Sequence, residues 1–360
     1  MSWRDLDDDD IRVRPNRKGS RPRTKERPAH ADAVIGRVVA VDRGRYTCLI
    51  PAGAGPRGHR SAESPPGSPT TSAPQPERIV TAMKARELGR TRVVVGDEVA
   101  LVGDTNGGPD ALARIVRIEE RRSVLRRTAD DTDPVERVIV ANADQLAIVT
   151  ALADPEPRPR MVDRCLVAAY DAGLEPLLVL TKADLVDAAD FLATYAPLEV
   201  DHVVTRRDDG DICGLAELHE RLSGHVTVLV GHSGVGKSTL VNALVPDARR
   251  AIGDVNVVTG RGRHTSTSAV ALRLPDGDSW VIDTPGVRSF GLAHIDVDRI
   301  IDHFPDLAAG TDECPRGCTH DEEDCALDDW VAQGHAGPAG PARLESLRRL
   351  LQSRSSAMDY

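Results

Sequence analysis

The sequence predicts an α/β fold with a mostly parallel sheet, preceded by a small β-barrel and followed by a helical region. Short strand-like segments without helical patterns fill residues 31–122. Strand-like and helical segments alternate in residues 130–291, which indicates a parallel sheet with helices on both faces. Helical patterns return in residues 292–360, where a cluster of Cys and His interrupts them.

The composition suits a chain of two or three domains. Of its 360 residues, 40% are apolar and only 3% aromatic, so Val, Leu, Ala and Ile must build the cores. No apolar stretch approaches the roughly 18 residues that span a bilayer, and the acidic segment 1–10 lacks a secretory pattern. We therefore expect a cytoplasmic, monomeric protein without a membrane partner.

Charge is distributed unevenly along the chain. A net charge of −10 argues against a protein that coats nucleic acid with its whole surface. However, segment 12–27 carries eight Lys or Arg and one acid, and segment 114–127 is a second basic run. Such runs can bind phosphate backbones. Residues 1–30 are predicted to be a disordered basic tail, which either binds RNA or is simply solvated.

Residues 31–122 carry the pattern of a β-barrel. An OB-fold is the commonest such module with nucleic-acid partners, although the periodicity also permits an SH3-like barrel. Strands are predicted at 34–41, 46–50, 92–95, 98–102 and 113–118, with a Pro/Gly/Ser-rich insertion at 51–76.

The alternating region contains buried strands and amphipathic helices whose ends carry the motifs discussed next. Strands are predicted at 146–150, 176–180, 202–205, 226–230 and 280–282, and helices at 160–172, 215–222, 238–244 and, near the C-terminus, 342–352.

A glycine-rich loop joins the strand at 226–230 to the helix after it. Its sequence fits the phosphate loop G-x-x-x-x-G-K-[ST]. Backbone N–H groups and the helix N-terminus would bind phosphates, Lys237 would reach the β- and γ-phosphates, and Ser238 would hold Mg²⁺. The motif comprises Gly231, His232, Ser233, Gly234, Val235, Gly236, Lys237 and Ser238.

A second motif follows the strand at 280–282. Asp283-Thr284-Pro285-Gly286 has the form D-x-x-G, and Asp283 lies 46 residues after Lys237. Asp283 would lie near Mg²⁺, and the Gly286 N–H near the γ-phosphate. The tetrapeptide alone is a common turn, but its distance from the phosphate loop suits a nucleotide-dependent switch.

A third motif ends the strand at 176–180. Thr181-Lys182-Ala183-Asp184 resembles the guanine-reading sequence N-K-x-D of GTPases, with Thr in place of Asn. Asp184 would accept hydrogen bonds from N1–H and the exocyclic amine of guanine, which adenine cannot offer. The Lys182 stem would lie over the base. The three motifs together predict an α/β P-loop GTPase domain.

The order of the motifs is unusual. In ordinary GTPases the base-reading motif follows the phosphate loop, whereas here Asp184 precedes Lys237. The sheet is therefore predicted to be circularly permuted, which is feasible where the old termini lay close together. As a consequence, the Asp283 motif leads directly into the C-terminal region and can transmit the state of the γ-phosphate to it.

The segment 260–267 lies where the first switch of a GTPase is expected. Thr265, with Thr267 in reserve, would complete the Mg²⁺ shell. Val287 occupies the position at which Ras-like enzymes use a Gln to orient the attacking water, so His264 becomes the candidate for that task. The alternative left open is that this basic loop contacts RNA phosphates.

The C-terminal region contains four metal-ligating residues within twelve positions: Cys314, Cys318, His320 and Cys325. Three thiols and one imidazole make a complete tetrahedral set for a structural Zn²⁺. A reducing compartment favours such a site over disulfides. The sequence therefore predicts a helical zinc-binding domain.

The rotated motif order, the switch segment 260–265, the segment 283–288 and the Cys-Cys-His-Cys cluster together resemble the RsgA (YjeQ) family of bacterial ribosome small subunit-dependent GTPases. The resemblance covers about residues 31–351. It implies an OB-fold, a circularly permuted GTPase domain and a zinc-binding domain. It implies further that the nucleotide contacts extend over residues 181–184 and from Gly231 to Thr239. It also implies that GTP hydrolysis, stimulated by the small ribosomal subunit, serves late maturation of that subunit and binding to its rRNA.

This chain departs from the family pattern in three places. Its metal cluster is tighter, with one residue fewer before Cys318 and one fewer before Cys325; the insertion at 51–76 interrupts the barrel; and Thr181 replaces Asn. Two other functions stay open. An ATP-driven kinase would not need Asp184, and an RNA-binding protein with an inactive nucleotide fold would not need Lys237 and Asp283.

Overall fold

The computed structural model describes residues 30, 33–54, 75–108, 111–127, 137–246, 269–284, 297–322 and 324–355. Several predictions fall on other parts of the chain. The basic tail except His30, most of the 51–76 insertion, and the switch residues His264, Thr265, Thr267 and Gly286 lie outside the described residues.

The N-terminal barrel closes on itself. Its strands are β1 (Val34–Asp42), β2 (Arg45–Ile50), β3 (Arg78–Lys84), β4 (Glu98–Gly103) and β5 (Leu112–Ile118). They are hydrogen-bonded in the order β1-β2-β3-β5-β4, and β4 pairs back with β1. All pairs are antiparallel except β3–β5. This five-stranded Greek-key closure is the OB-fold and excludes the SH3-like alternative.

One predicted barrel strand is wrong, and one was missed. Val93, Val94 and Val95 are buried as expected, but of them only Val95 makes an isolated bridge, to Val140. The Val94 N–H instead bonds the Asp97 side chain at 2.8 Å, so the segment is a loop packed on the core. The missed strand is β3, which directly follows the insertion.

The central sheet has the predicted parallel architecture. Its strands run in the order β10-β9-β8-β13-β15-β14, and only the edge strand β14 is antiparallel. Strands buried on both faces, such as β8, explain the continuous apolar runs in the sequence. The strands are β8 (Gln145–Ala151), β9 (Glu175–Thr181), β10 (Asp201–Val204), β13 (Val226–Val230), β14 (Val270–Arg273) and β15 (Trp280–Asp283).

Helices cover both faces of this sheet. In the described residues, α1 (Pro159–Ala172) and the C-terminal helices share one core with the sheet, and α3 (Leu215–Leu222) and α4 (Lys237–Leu244) share the other. The sequence analysis missed the strand β14, helix α2 (Ala189–Tyr195) and two short hairpins. The hairpins are β6–β7 (Val124–Arg127, Arg137–Ala141) and β11–β12 (Arg206–Asp208, Asp211–Cys213).

The described part of the C-terminal region is helical, as predicted. Its helices are α5 (Val297–Ile301), α6 (Pro305–Ala308), α7 (Ala326–Ala332) and α8 (Gly340–Ser355). Phe304 and Leu347 are fully buried where these helices pack against α1. Among the described helices, none combines the length and apolar character needed to cross a bilayer.

Candidate functional site

The predicted phosphate loop connects β13 to α4. Its glycines are required by the backbone. A Cβ on Gly231 would lie 2.5 Å from the Val149 carbonyl oxygen, and Gly236 has a φ of 92°, which side chains rarely adopt. Helix α4 begins at Lys237 without a side-chain cap. Its first-turn N–H groups can therefore bind an anion, with the exposed Ser238 beside them.

Lys237 and Asp283 meet at the end of the loop. The Lys237 Nζ atom lies 2.8 Å from Asp283 Oδ1, in an ion pair that is largely shielded from solvent. Parallel pairing of β13 with β15 sets Leu229 opposite Asp283 and so fixes this approach. Thr284, the next residue of the motif, is buried and donates its hydroxyl to the Leu229 carbonyl at 2.9 Å.

The base-reading motif lies directly against the phosphate loop. Thr181 is the last residue of β9, and its hydroxyl donates to the Val235 carbonyl at 2.6 Å. The hydroxyl thus ties the two loops together within a buried contact. Lys182 adopts a left-handed φ of 60°, and its ammonium donates to the Asp154 carbonyl.

One cavity of about 340 Å³ is shared by both motifs. The sequence analysis placed Asp184 and Lys237 at opposite ends of one nucleotide, and the loops that carry them line this cavity. Of the predicted residues, those that line it are Thr181, Lys182, Asp184, Gly234, Gly236 and Thr239.

Asp184 is fully exposed in the cavity and is held as a carboxylate. The Arg207 N–H donates to Asp184 Oδ1 at 3.0 Å. That hydrogen bond, followed by one from the Asp184 backbone and by the charges of Arg207 and Lys182, lowers the pKa of Asp184. An ionised carboxylate can accept two hydrogen bonds from the N1–H and exocyclic amine of a guanine.

Five further residues of the cavity were missed: Thr205, Arg206, Arg207, Ile212 and Leu240. Thr205 follows β10, which pairs in parallel with β9. Because carboxyl ends of neighbouring parallel strands meet at one edge of the sheet, that signal could have identified Thr205. No comparable signal identified the hairpin β11–β12, whose position depends on packing.

The strand that follows the predicted first switch pairs with the strand that carries Asp283. Val270 is the first residue of β14, shortly after the predicted first switch, and it pairs with Asp283. The predicted roles of His264, Thr265, Thr267 and Gly286 stay predictions.

The predicted metal ligands converge. One ligand atom from each of Cys314, Cys318, His320 and Cys325 lies within 4.8 Å of the others. The His320 Nδ1 atom is 3.7 Å from Cys314 Sγ and 3.8 Å from the other two sulfurs. Ligands around a tetrahedral Zn²⁺, at about 2.3 Å for sulfur and 2.0 Å for nitrogen, would be spaced roughly 3.5–3.8 Å apart, so the set fits this metal.

Neighbouring side chains hold the metal-binding loop in place. Arg348 of α8 donates to the His320 carbonyl at 3.0 Å and makes a bidentate ion pair with Asp328 of α7. Glu322 accepts hydrogen bonds from the Thr319 hydroxyl and N–H, which lower the pKa of Glu322 to about 2. Glu322 therefore stabilises the loop, and the assignment of the four ligands stays a prediction.

Comparison with known proteins agrees with this architecture. The RsgA GTPase family model matches residues 118–293. The protein named small ribosomal subunit biogenesis GTPase RsgA from Pseudomonas putida is 41% identical over 223 residues, which cover 60% of this chain and 63% of that protein. The chain thus matches less than two thirds of the length of this relative. The protein of the same name from Pseudomonas aeruginosa is 38% identical over 269 residues, which cover 72% of this chain and 76% of that protein. The one from Chlorobaculum parvum is 36% identical over 285 residues, which cover 77% of this chain and 90% of that protein.

Two solved structures share the fold. The crystal structure of YjeQ from Thermotoga maritima has a TM-score of 0.58 and 23% identity, covering 90% of this chain and 99% of that one. The structure of YloQ, described as a circularly permuted GTPase, has a TM-score of 0.56 and 20% identity, covering 92% and 98%. With the closed barrel, the permuted sheet and the Cys/His cluster in place, these relationships show that the chain belongs to the RsgA family of small ribosomal subunit biogenesis GTPases.

Proposed function

We propose that this chain hydrolyses GTP and couples hydrolysis to late maturation of the small ribosomal subunit. The observation that carries the proposal is the single cavity lined by both the base-reading and the phosphate loops. The printed name of the relatives, small ribosomal subunit biogenesis GTPase, supports the assignment of the biological process.

The phosphate end of the site supplies charge stabilisation. Lys237 would leave Asp283 and bind the β- and γ-phosphates, while Asp283, with Ser238 and Thr265, would hold the Mg²⁺ that accompanies GTP. The ion pair holds Lys237 Nζ and Asp283 Oδ1 within hydrogen-bonding distance of each other at this end of the site. When bound, Mg²⁺ would neutralise the negative charge that develops on the phosphates. His264 would orient the attacking water, and the Gly286 N–H would sense the γ-phosphate.

The base end of the site supplies specificity. Asp184 would accept hydrogen bonds from guanine, the Lys182 stem would cover the base, and the Thr181 hydroxyl would keep this loop aligned with the phosphate loop. The Thr–carbonyl bond offers a physical reason why Thr can stand where most GTPases have Asn.

The N-terminal barrel and the C-terminal region would bind the ribosome. We propose that the OB-fold (31–122, with its 51–76 insertion), the permuted GTPase domain (130–291) and the zinc-binding domain (292–360) are separate domains, of which the first and last bind rRNA in the cytoplasm. Support comes from the OB-fold, a frequent nucleic-acid-binding module, and from the fit of the Cys/His cluster to one structural Zn²⁺. GTP hydrolysis in the GTPase domain would determine when the protein dissociates from the small subunit.

The decisive experiment measures GTP hydrolysis with and without purified small subunits, together with co-sedimentation in GDP and in a non-hydrolysable GTP analogue. We expect stimulation by subunits, tighter co-sedimentation with the analogue, and loss of turnover in Lys237→Ala. Equal turnover with and without subunits would contradict the ribosomal part of the proposal. Equal affinity for ATP and GTP would contradict the guanine site and favour an ATP-driven enzyme.

A further inference from the structure

The hairpin β11–β12 forms one wall of the base end of the cavity. It turns at Asp209 and Gly210, which have φ values of 44° and 96°, as a two-residue type I′ turn requires. In such a hairpin the pair beside the turn, Asp208 and Asp211, exchanges both ladder hydrogen bonds. The next pair, Arg207 and Ile212, is therefore a non-hydrogen-bonded pair. Its N–H groups point away from the hairpin.

The outward N–H of Arg207 meets Asp184, with 3.0 Å between Arg207 N and Asp184 Oδ1. Ile212, on the opposite strand, lines the same cavity. The charged groups that face Asp184 from the cavity wall are Lys182, Arg206 and Arg207, all of them cations.

The root of the hairpin is fixed on both sides. Before it, the buried Thr205 donates its N–H and its hydroxyl to the Leu180 carbonyl at 2.7 and 3.1 Å, which anchors it to the strand that carries the base-reading motif. After it, Gly214 has a φ of 87°, and a Cβ there would lie 2.3 Å from the Val204 carbonyl oxygen. A hairpin anchored at both ends can place one N–H reproducibly.

We infer that Arg207 is a positioning residue for guanine recognition, acting through its main-chain N–H rather than through its guanidinium. The N–H fixes the plane of the Asp184 carboxylate so that both oxygens face the N1–H and the exocyclic amine of the base. Oδ1 retains a second lone pair, so it can accept from Arg207 and from the base together. This inference rests on the proposed guanine site. The same hydrogen bond is the largest cause of the lowered pKa of Asp184.

The test compares GDP with IDP, because hypoxanthine lacks the exocyclic amine. A correctly oriented Asp184 makes one hydrogen bond fewer to IDP, so the wild-type chain should bind GDP about tenfold to a hundredfold more tightly. The backbone donor is removed by incorporating the α-hydroxy analogue of arginine at position 207, which replaces the N–H with an ester oxygen. We expect the GDP/IDP affinity ratio of this ester variant to fall by about fivefold or more. Arg207→Pro is a second way to remove the donor, and circular dichroism checks its fold.

The matched control is Arg207→Ala, which keeps the N–H and removes the guanidinium. Whatever it does to absolute affinity, it should change GDP and IDP by the same factor, leaving the ratio within about twofold. Two results overturn the inference: an unchanged GDP/IDP ratio in the ester variant, whether or not both affinities fall, or an equally reduced ratio in Arg207→Ala. None of these touches the proposed function, which instead fails if the wild-type chain binds ADP as tightly as GDP.

Discussion

The GTPase sheet meets its two neighbours in contrasting ways. At the barrel, the edge strand β14 touches β1 through one bridged pair, Val270 with Ala40. Beside that bridge, Trp280 lies between the guanidinium groups of Arg37 and Arg273, at 6.0 and 5.5 Å from the ring centre. Arg273 also makes an exposed ion pair with Glu77. The strand contact is thus a single bridged pair flanked by charged side chains, while Val39, Val95 and Ala40 of the barrel region pack into the cores of the GTPase sheet.

The junction with the C-terminal region is broad and buried. Helix α8 packs along α1, where the buried Arg164 donates to the Ser353 carbonyl at 2.7 Å. Asp163, with a side chain 3% exposed, pairs with Arg349 at 3.3 Å. Burial raises the pKa of Asp163, and Arg349 opposes that rise. Arg349 also stacks over Tyr195, 5.1 Å from the ring centre.

The difference indicates which neighbour can respond to nucleotide. Val270 pairs on one side with Asp283, the proposed Mg²⁺ ligand, and on the other with Ala40 of the barrel. A shift of Asp283 can therefore reach the barrel through the single strand β14. Buried ionic contacts hold the C-terminal helices to α1, so we expect them to move with the GTPase sheet as one body.

The largest effect should follow loss of the metal cluster. Cys325→Ser removes a buried thiol ligand, and the folding free energy supplied by a structural zinc is several kcal/mol. We expect loss of one bound Zn²⁺ per chain and unfolding of residues 297–355, measured by metal analysis and hydrogen exchange. Cys213→Ser, outside the cluster, is the control. If Cys325→Ser kept its zinc and its protection from hydrogen exchange, the C-terminal region would not depend on this ligand for its fold.

The next effect concerns the buried ion pair at α1. Asp163→Ala should lower the free energy of unfolding by about 2 kcal/mol, less than a fully buried pair because Arg349 reaches solvent. Urea denaturation measures it. The control is Asp201→Ala, which removes the exposed partner of Arg221 and should cost less than about 0.5 kcal/mol. Equal costs for the two variants would show that burial does not strengthen the ion pair at the α1 junction.

A comparable loss should appear inside the site when the Thr181 hydroxyl is removed. Thr181→Val keeps the shape but leaves the Val235 carbonyl unpaired, at a cost of about 1–2 kcal/mol and roughly a tenfold loss of GDP affinity. Thr181→Ser keeps the hydroxyl and serves as the control. Calorimetric titration with GDP distinguishes them, and identical affinities would mean that the contact does not align the loops.

The smallest effect on stability belongs to the barrel junction. Arg273→Ala removes one exposed ion pair and one cation–π contact, together worth about 1 kcal/mol or less. Its functional effect should be larger, because the barrel would follow the switch less closely. We expect the difference in subunit affinity between GDP and the GTP analogue to shrink, as measured by co-sedimentation. An undiminished difference would place the coupling elsewhere.

Part of this architecture is local in sequence and could be predicted. The phosphate loop lies between a strand and a helix whose periodicity is evident, and four metal ligands fall within twelve residues. The two sides of the nucleotide cavity also followed from sequence, because carboxyl ends of parallel strands share one edge. Strand β3 was missed, and segment 92–95 was wrongly predicted to be a strand. A short apolar run is compatible both with a hydrogen-bonded strand and with a buried loop, so the sequence alone does not distinguish the two.

By itself the sequence identified the groups that are proposed to bind phosphate, guanine and metal, and the order in which they follow one another. Only the tertiary structure decided which groups support them. Asp163 and Arg349 are 186 residues apart, and the Arg207 N–H reaches Asp184 because of hairpin register and the anchoring of Thr205. The physical reason is that a sequence motif reports the backbone geometry of its own segment. Supporting contacts such as these depend on how distant elements pack together, and the spacing of apolar residues does not reveal that packing.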